Sequence, residues 1–168
     1  RETFVSESIL VGSAEDNNAI IIEKSPGEFD TFYPKEDLLI CSNHFQSDKF
    51  KNEPNNQEYI EQSASVYRQN RALELVSKHD TITYENAASI LRDYNGIDDT
   101  SIGIGNEKVM AQFISHHSII FQPLQHDFWV STTDYQFGAF LNYNLDNVFS
   151  KTDLRGIGEV IYDSVRII

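Results

Sequence analysis

The feature that most constrains the fold is the order in which short apolar segments and longer amphipathic segments follow one another. Residues 4–12, 18–24 and 29–33 are short and rich in β-branched and aromatic residues, and the turn formers SAEDNN and SPGE separate them. A fourth apolar segment follows at 38–41. Because segments joined by short turns pair with their neighbours, these four predict an antiparallel β-meander.

The central part of the chain predicts helices instead. Between about residues 57 and 78, apolar side chains recur at near-helical spacing, with Glu and Arg between them. Thr83 is a typical N-cap residue, and a second helix is predicted from there to Asp93. A hairpin at 118–132 and a strand near 137–143 follow. Strands, helices and strands in this order, with no repeat or linker, predict an α+β layered fold in a single domain.

Charge and composition limit the classes of partner. The 168 residues include 26 acidic and 13 basic side chains, and a formal net charge of -13 argues against nucleic acid and anionic membrane surfaces. No apolar run is long enough to predict a membrane span. The single cysteine, Cys41, excludes an internal disulfide and a thiolate zinc site, and its apolar neighbours favour a buried hydrophobic role. No cofactor fingerprint occurs, so neither a cofactor nor a metal is expected.

The sequence LLICSNHFQSDKF at 38–50 ends an apolar run in polar side chains. Asn43 and His44 both donate and accept hydrogen bonds, and polar residues at the end of a core strand often serve binding or catalysis. The alternative is that Asn43 only favours a turn and that His44 faces water. Ser65 and Arg68 lie three residues apart on one helix face. Arg68 either pairs with a nearby Glu or supplies a fixed charge to a carboxylate or a catalytic loop.

Five segments in order carry a resemblance to a known family: VGSAEDNNAIIIEKSPG, LLICSNHFQS, SASVYRQNRALELV, HHSIIFQP and FWVSTT. Over most of residues 8–145 the chain resembles the β-chain portion of the peptidase C45 family. Those proteins are similar to acyl-coenzyme A:6-aminopenicillanic acid acyltransferase, a branch of the N-terminal-nucleophile hydrolases. The resemblance implies an αββα sandwich, in which two antiparallel sheets lie between helix layers, with this chain as the C-terminal portion of the larger domain.

The resemblance also implies a reaction. In such enzymes a precursor cleaves itself, and the new chain begins with a cysteine whose thiol attacks an amide or thioester carbonyl while its own α-amino group acts as base. Arg1 is not a nucleophile. The resemblance therefore implies that an upstream segment or α chain carries the nucleophile, and that this chain alone is inactive. The expected substrates are small acyl amides or acyl thioesters.

The same resemblance implies roles for particular residues. Asn43 matches the family's Asn that donates a hydrogen bond to the carbonyl oxygen in the oxyanion hole, and Ser42 precedes it where Thr is common. His44 follows in the same motif, while Ser65 and Arg68 fall in the family's S-x-x-R segment. These three are expected to position the substrate or a catalytic loop.

Two other interpretations stay open at this point. One is a choloylglycine-hydrolase-like amidase of the bile-salt or penicillin V type, and the other is a noncatalytic binding domain with the same fold. Hydrolysis and acyl transfer are both compatible with the sequence. So are a cytoplasmic location and an exported protein whose signal peptide lies upstream.

Overall fold

The computed structural model describes residues 6–34, 36–132 and 136–150, together with the backbone of a short strand at 160–161. The chain divides into two compact units, Arg1–Leu73 and Glu74–Ile168. Strands come first, helices follow, and strands return, with antiparallel pairing in both sheets. The predicted α+β class is confirmed. That the chain is one domain, and part of a larger one, stays a prediction.

The first unit begins with a three-stranded antiparallel sheet in the order β1-β2-β3. Its strands are β1 (Glu7–Ser13), β2 (Asn18–Ser25) and β3 (Glu28–Phe32). Asn17 and Gly27 adopt positive φ angles in the two connecting turns, a conformation that Asn and Gly tolerate best. The first three predicted strands are confirmed, because turn formers mark both ends of β2.

The fourth predicted strand, at 38–41, is wrong. Leu38 forms a single bridge and is exposed, and the next three residues are half-buried and have no regular structure. The backbone oxygen of Ile40 accepts a hydrogen bond from the side chain of Gln46 at 2.9 Å. This side-chain donor takes the place of the backbone N–H that a neighbouring strand would supply in a sheet. Cys41 is half-buried, and burial raises the pKa of its thiol, as expected for an unreactive side chain.

The single helix predicted at 57–78 is also wrong, because two helices occupy this region. They are α1 (Pro54–Gln62), which has a proline in its first turn, and α2 (Ser65–Ser77). Ser63 has an extended backbone with φ -124° and ψ 162°, and it ends α1. Because of this break, Ser65 is the first residue of a helix and not a residue in the middle of one.

The interior of the first unit is unusually polar. Its fully or nearly fully buried apolar residues are few: Ile21, Phe50, Ala64 and Ala72. Its buried polar and charged residues are more numerous: Glu23, His44, Ser47, Asn56, Ser65 and Arg71. A buried polar group destabilises a fold unless it is hydrogen-bonded. The partners of these side chains therefore decide how this unit holds together.

The second unit contains one longer helix and a four-stranded antiparallel sheet in the order β4-β5-β6-β7. Its elements are α3 (Tyr84–Leu91), β4 (Ile119–Gln122), β5 (Asp127–Ser131), β6 (Phe140–Asn144), α4 (Leu145–Phe149) and β7 (Val160–Ile161). The Thr83 side chain caps α3 as predicted, and Asn86 completes the reciprocal capping box. The predicted hairpin and the last predicted strand are also confirmed.

The sheet of the second unit packs one face against α3. Ala88 of that helix, Ile120 and Trp129 form a buried cluster with Phe140, and the Tyr84 ring stacks on Trp129 with centroids 4.7 Å apart. On the opposite face three aromatic rings from neighbouring strands lie side by side. The ring centroids of Phe121 and Phe128 are 6.3 Å apart, and those of Phe128 and Tyr143 are 5.3 Å apart. Phe121 is 66% exposed, so this aromatic face is open to solvent.

Candidate functional site

The four residues singled out from the sequence lie in one hydrogen-bonded cluster of the first unit. Arg68 Nη2 donates to Asn43 Oδ1 at 2.7 Å. The backbone N–H of Asn43 donates to Ser65 Oγ at 2.9 Å, and His44 Nδ1 lies 2.8 Å from the same oxygen. The break between α1 and α2 makes this possible, because it puts the Ser65 hydroxyl at a helix start that faces the irregular loop at 42–47.

Ser65 Oγ is the centre of the cluster, and its contacts determine the positions of the protons. Ser42 donates its hydroxyl proton to the backbone oxygen of Ser65 at 2.9 Å, and the two hydroxyl oxygens are also 2.9 Å apart. We infer that Ser65 donates to Ser42 in this contact, because a hydroxyl has a single proton. Ser65 Oγ then accepts from Asn43 and from His44, and we infer that His44 carries its proton on Nδ1.

The surroundings of His44 favour the neutral form of its imidazole. Burial lowers its pKa below the usual range, while the negative charge of Glu23 and the amide of Gln69 act in the opposite direction and only partly offset burial. The side chain is 7% exposed. His44 is therefore a buried hydrogen-bond donor to Ser65 and supports the loop from within.

Three more backbone N–H groups of the 42–47 loop are bound by side chains from distant elements. Asn56 of α1 accepts from the backbone N–H of Phe45 at 2.8 Å and donates to its carbonyl oxygen at 3.1 Å. Glu23 of β2 accepts from Gln46 N at 2.6 Å with one carboxylate oxygen and from Ser47 N at 3.0 Å with the other. The Glu23 side chain is fully buried. Buried side chains thus fix a loop that has no regular secondary structure.

Sequence reasoning missed Glu23 and Asn56. Glu23 lies two positions after the buried Ile21, so strand alternation puts it on the core face, and a carboxylate there was the available signal. Asn56 stands among polar residues in PNNQEY, and nothing in that stretch distinguishes it. Both residues act on the loop backbone, which sequence patterns do not reveal.

The geometry gives Asn43 a defined chemical capability. Its side-chain oxygen binds the Arg68 guanidinium, so its amide nitrogen Nδ2 points away from that positive charge. Asn43 is exposed, and within the described part of the chain no group accepts a hydrogen bond from Nδ2. An amide whose oxygen is bound to a cation is a strengthened donor. The side chain can therefore donate to an oxygen that develops negative charge.

Asn43 borders a cavity of about 460 Å³ in the first unit. This volume is in the usual range for small-molecule sites. The polar residues that matter most for its chemistry are Glu7, Ser42, Asn43, Glu53, Asn55 and Tyr59. Among the described residues, no group of three His, Cys, Asp or Glu side chains is arranged to hold a metal ion, and His116 and His117 are exposed.

Comparison with known proteins leaves the family open. No family model matches the chain, and no curated protein or solved structure is significantly similar to it. The peptidase C45 assignment therefore stays a prediction from the sequence motifs. Over the residues that the structure describes, no helix has both the length and the apolar character needed to cross a bilayer.

Proposed function

We propose that this chain is the larger C-terminal part of a self-processed amidase or acyltransferase of the N-terminal-nucleophile type, acting on nonpeptide acyl amides or acyl thioesters. The nucleophilic cysteine belongs to a segment or α chain outside this sequence. Asn43 is the oxyanion donor, and Ser65, Arg68 and His44 position it. The observation that carries the proposal is the Asn43 side chain, which is bound through its oxygen by Arg68 and whose Nδ2 has no acceptor among the described residues.

The proposed role of Asn43 follows from the charge movement in acyl transfer. When a thiolate attacks an amide carbonyl, a carbon–sulfur bond forms and an electron pair moves onto the oxygen. Nδ2 of Asn43 donates to this oxyanion, and the 42–47 loop holds the donor in place beforehand. Collapse of the intermediate breaks the carbon–nitrogen bond, and the amine leaves with a proton from the α-amino group of the nucleophile. Water or an acceptor amine then removes the acyl group.

The finer fold, an αββα sandwich, belongs to the same proposal. Each described sheet has an apolar face that is open to solvent: Ile9 and Val11 of β1 are each 40% exposed, and Phe121 of β4 is 66% exposed. A strand layer that packs on such a face would remove this apolar surface from water. The exposed faces therefore support a larger layered domain to which further elements belong.

A noncatalytic binding domain is the second candidate, and the cavity beside Asn43 favours it. A cavity of about 460 Å³ that is lined by Ser, Asn, Glu and Tyr can bind a small polar ligand without any nucleophile. This alternative requires no oxyanion donor. Substitution of Asn43 therefore separates the two candidates.

The test is Asn43→Ala in the full-length protein that contains this chain. We expect kcat on an acyl amide substrate to fall by about 10²–10³, because one oxyanion donor is lost. The control is Asn52→Ala, at an exposed position outside the cavity lining, which should leave kcat unchanged. Thermal unfolding of both variants shows whether the fold is retained. Unchanged turnover in a folded Asn43→Ala variant contradicts the assignment.

A further inference from the structure

The cavity beside Asn43 contains polar groups that the protein itself does not use. Asn56 and Ser42 also line it, but their hydrogen-bonding groups are bound to Phe45, Lys51 and Ser65. The side chains of Glu53, Asn55 and Tyr59 also line it, and none of them has a hydrogen-bond partner among the described residues. Polar groups that converge on a cavity without internal partners are what a ligand-binding site presents.

The charge of this lining has one sign. Among the residues that the structure describes, it includes two carboxylates, Glu7 and Glu53, and no Lys, Arg or His. Lys24 neutralises Glu7 in part, because its Nζ lies 3.3 Å from Glu7 Oε1. Glu53 is half-buried, and within the described chain no cation pairs with it. Arg68 donates to Asn43 and is not part of the lining. The cavity is therefore negative at Glu53.

We propose that this cavity binds the amine half of the substrate, that this half carries an ammonium group, and that Glu53 is the residue that recognises it. The inference rests on the proposed function. The acyl half fits less well, because a hydrocarbon chain needs apolar walls and, apart from Phe45 and Tyr59, every described lining side chain ends in a polar group. Tyr59 and Asn55 supply further oxygen acceptors for the ammonium hydrogens.

The proposal also limits which amides this cavity would accept. Penicillin V and conjugated bile salts carry a negative charge on the amine half, and 6-aminopenicillanic acid carries the same carboxylate as the amine half of penicillin V. In this cavity such a charge would face the Glu53 carboxylate without a neutralising cation in the lining. A cationic or neutral amide avoids this repulsion. The cavity thus disfavours the bile-salt and penicillin V type of substrate.

Glu53 can be changed without removing a structural contact. It is the N-cap residue of α1, but its side chain makes no capping hydrogen bond, and Pro54 begins the helix. Glu53→Gln therefore removes the charge and keeps the shape. Glu61→Gln on the same helix is the matched control, because Glu61 is exposed and lies outside the cavity lining.

The experiment uses the full-length protein and three amides that differ only at the end of the amine half: N-acetyl-1,4-diaminobutane, N-pentylacetamide and 5-acetamidopentanoate. We expect kcat/KM to be about tenfold higher for the cationic amide than for the neutral one, and lowest for the anionic one. Glu53→Gln should remove most of this preference by lowering kcat/KM for the cationic amide alone. Glu61→Gln should preserve it.

Equal kcat/KM for the three amides, or an unchanged preference in Glu53→Gln, overturns the inference and leaves the proposed function intact. If none of the amides is hydrolysed, calorimetric titration decides the inference by itself. Binding of N-acetyl-1,4-diaminobutane that weakens about tenfold in Glu53→Gln and not in Glu61→Gln supports it. Absence of binding, or equal binding to both variants, overturns it.

Discussion

Two irregular segments of this protein are held in place in different ways. Four backbone N–H groups of the 42–47 loop bind side chains that are 11 to 24 positions away in the sequence, and these side chains are buried. In the segment at 97–112, most turns are closed by backbone hydrogen bonds over two or three residues, such as Thr100 N to Ile97 O and Val109 N to Asn106 O. Its long-range ion pairs, such as Lys78 with Asp99, are exposed.

This difference in hydrogen bonding shows which of the two segments the fold holds in a fixed position. Most hydrogen bonds of the 97–112 segment are local and can be kept when its turns move, and its long-range backbone contacts are few, such as Ala111 N to Asp93 O beside the buried Val109. The 42–47 loop can move only if Glu23, Asn56 and Ser65 lose partners in the interior, which leaves buried groups unsatisfied. A donor that must stabilise developing charge needs such a fixed position. The long-range contacts therefore give the 42–47 loop, which carries Asn43, the fixed position that such a donor needs.

The largest expected effect comes from removing the carboxylate that holds the loop. Glu23→Ala leaves the backbone N–H groups of Gln46 and Ser47 without acceptors in the interior, and we expect the free energy of unfolding to fall by about 2–5 kcal/mol. Denaturant unfolding measures this. The control is Asp30→Ala, which faces Glu23 across β2 and β3 and binds Lys49 N at an exposed site. Equal losses in both variants would contradict the comparison.

A smaller effect is expected from pH, through the buried imidazole of the same cluster. Burial lowers the pKa of His44 in the folded protein, so the unfolded chain takes up a proton at a higher pH than the folded one. The contribution of His44 to stability is therefore complete above about pH 6.5, the usual histidine pKa, and is lost as the pH falls below it.

Unfolding of the wild type and of His44→Gln between about pH 7.5 and 5 measures this contribution. The difference in unfolding free energy between the two proteins should shrink as the pH falls. His116→Gln, at an exposed position, is the control for loss of a histidine side chain at the surface. If the difference in unfolding free energy between the wild type and His44→Gln stays constant over this range, the imidazole is solvated and the prediction is wrong.

The smallest effect is expected in the segment at 97–112. Lys78 pairs with Glu74 at 3.2 Å and with Asp99 at 2.9 Å, and all three groups are accessible to solvent. Exposed ion pairs contribute little to stability and are screened by salt. Lys78→Ala should leave kcat unchanged and shift the thermal midpoint only slightly, with the shift vanishing in high salt. A loss comparable to that of Glu23→Ala would remove the distinction between the two segments.

Sequence patterns predicted the elements that local chemistry determines. Turn formers bound β2 on both sides, Thr83 caps α3, and the PLQHD turn separates the two apolar segments that form β4 and β5. The run at 38–41 was predicted incorrectly, because four apolar residues alone do not distinguish a strand from a half-buried irregular segment. The break at Ser63 was missed, because neither Gly nor Pro marks it.

The candidate site was predictable only in part. The resemblance identified Asn43 and Arg68, and the structure joins them across 25 positions by a hydrogen bond of 2.7 Å. The roles of Glu23 and Asn56 depend on which backbone N–H groups a folded loop brings to them. No periodicity or local propensity encodes such a match, so it becomes visible only in three dimensions.

The central claim is that this chain belongs to a self-processed hydrolase whose nucleophile lies outside the sequence. Intact-mass and N-terminal sequence analysis of the expressed full-length gene product tests it most directly. The proposal predicts two polypeptides, of which the second begins with Cys and contains all 168 residues of this chain. A single uncut chain would contradict self-processing and would favour a noncatalytic protein with the cavity beside Asn43 as its binding site.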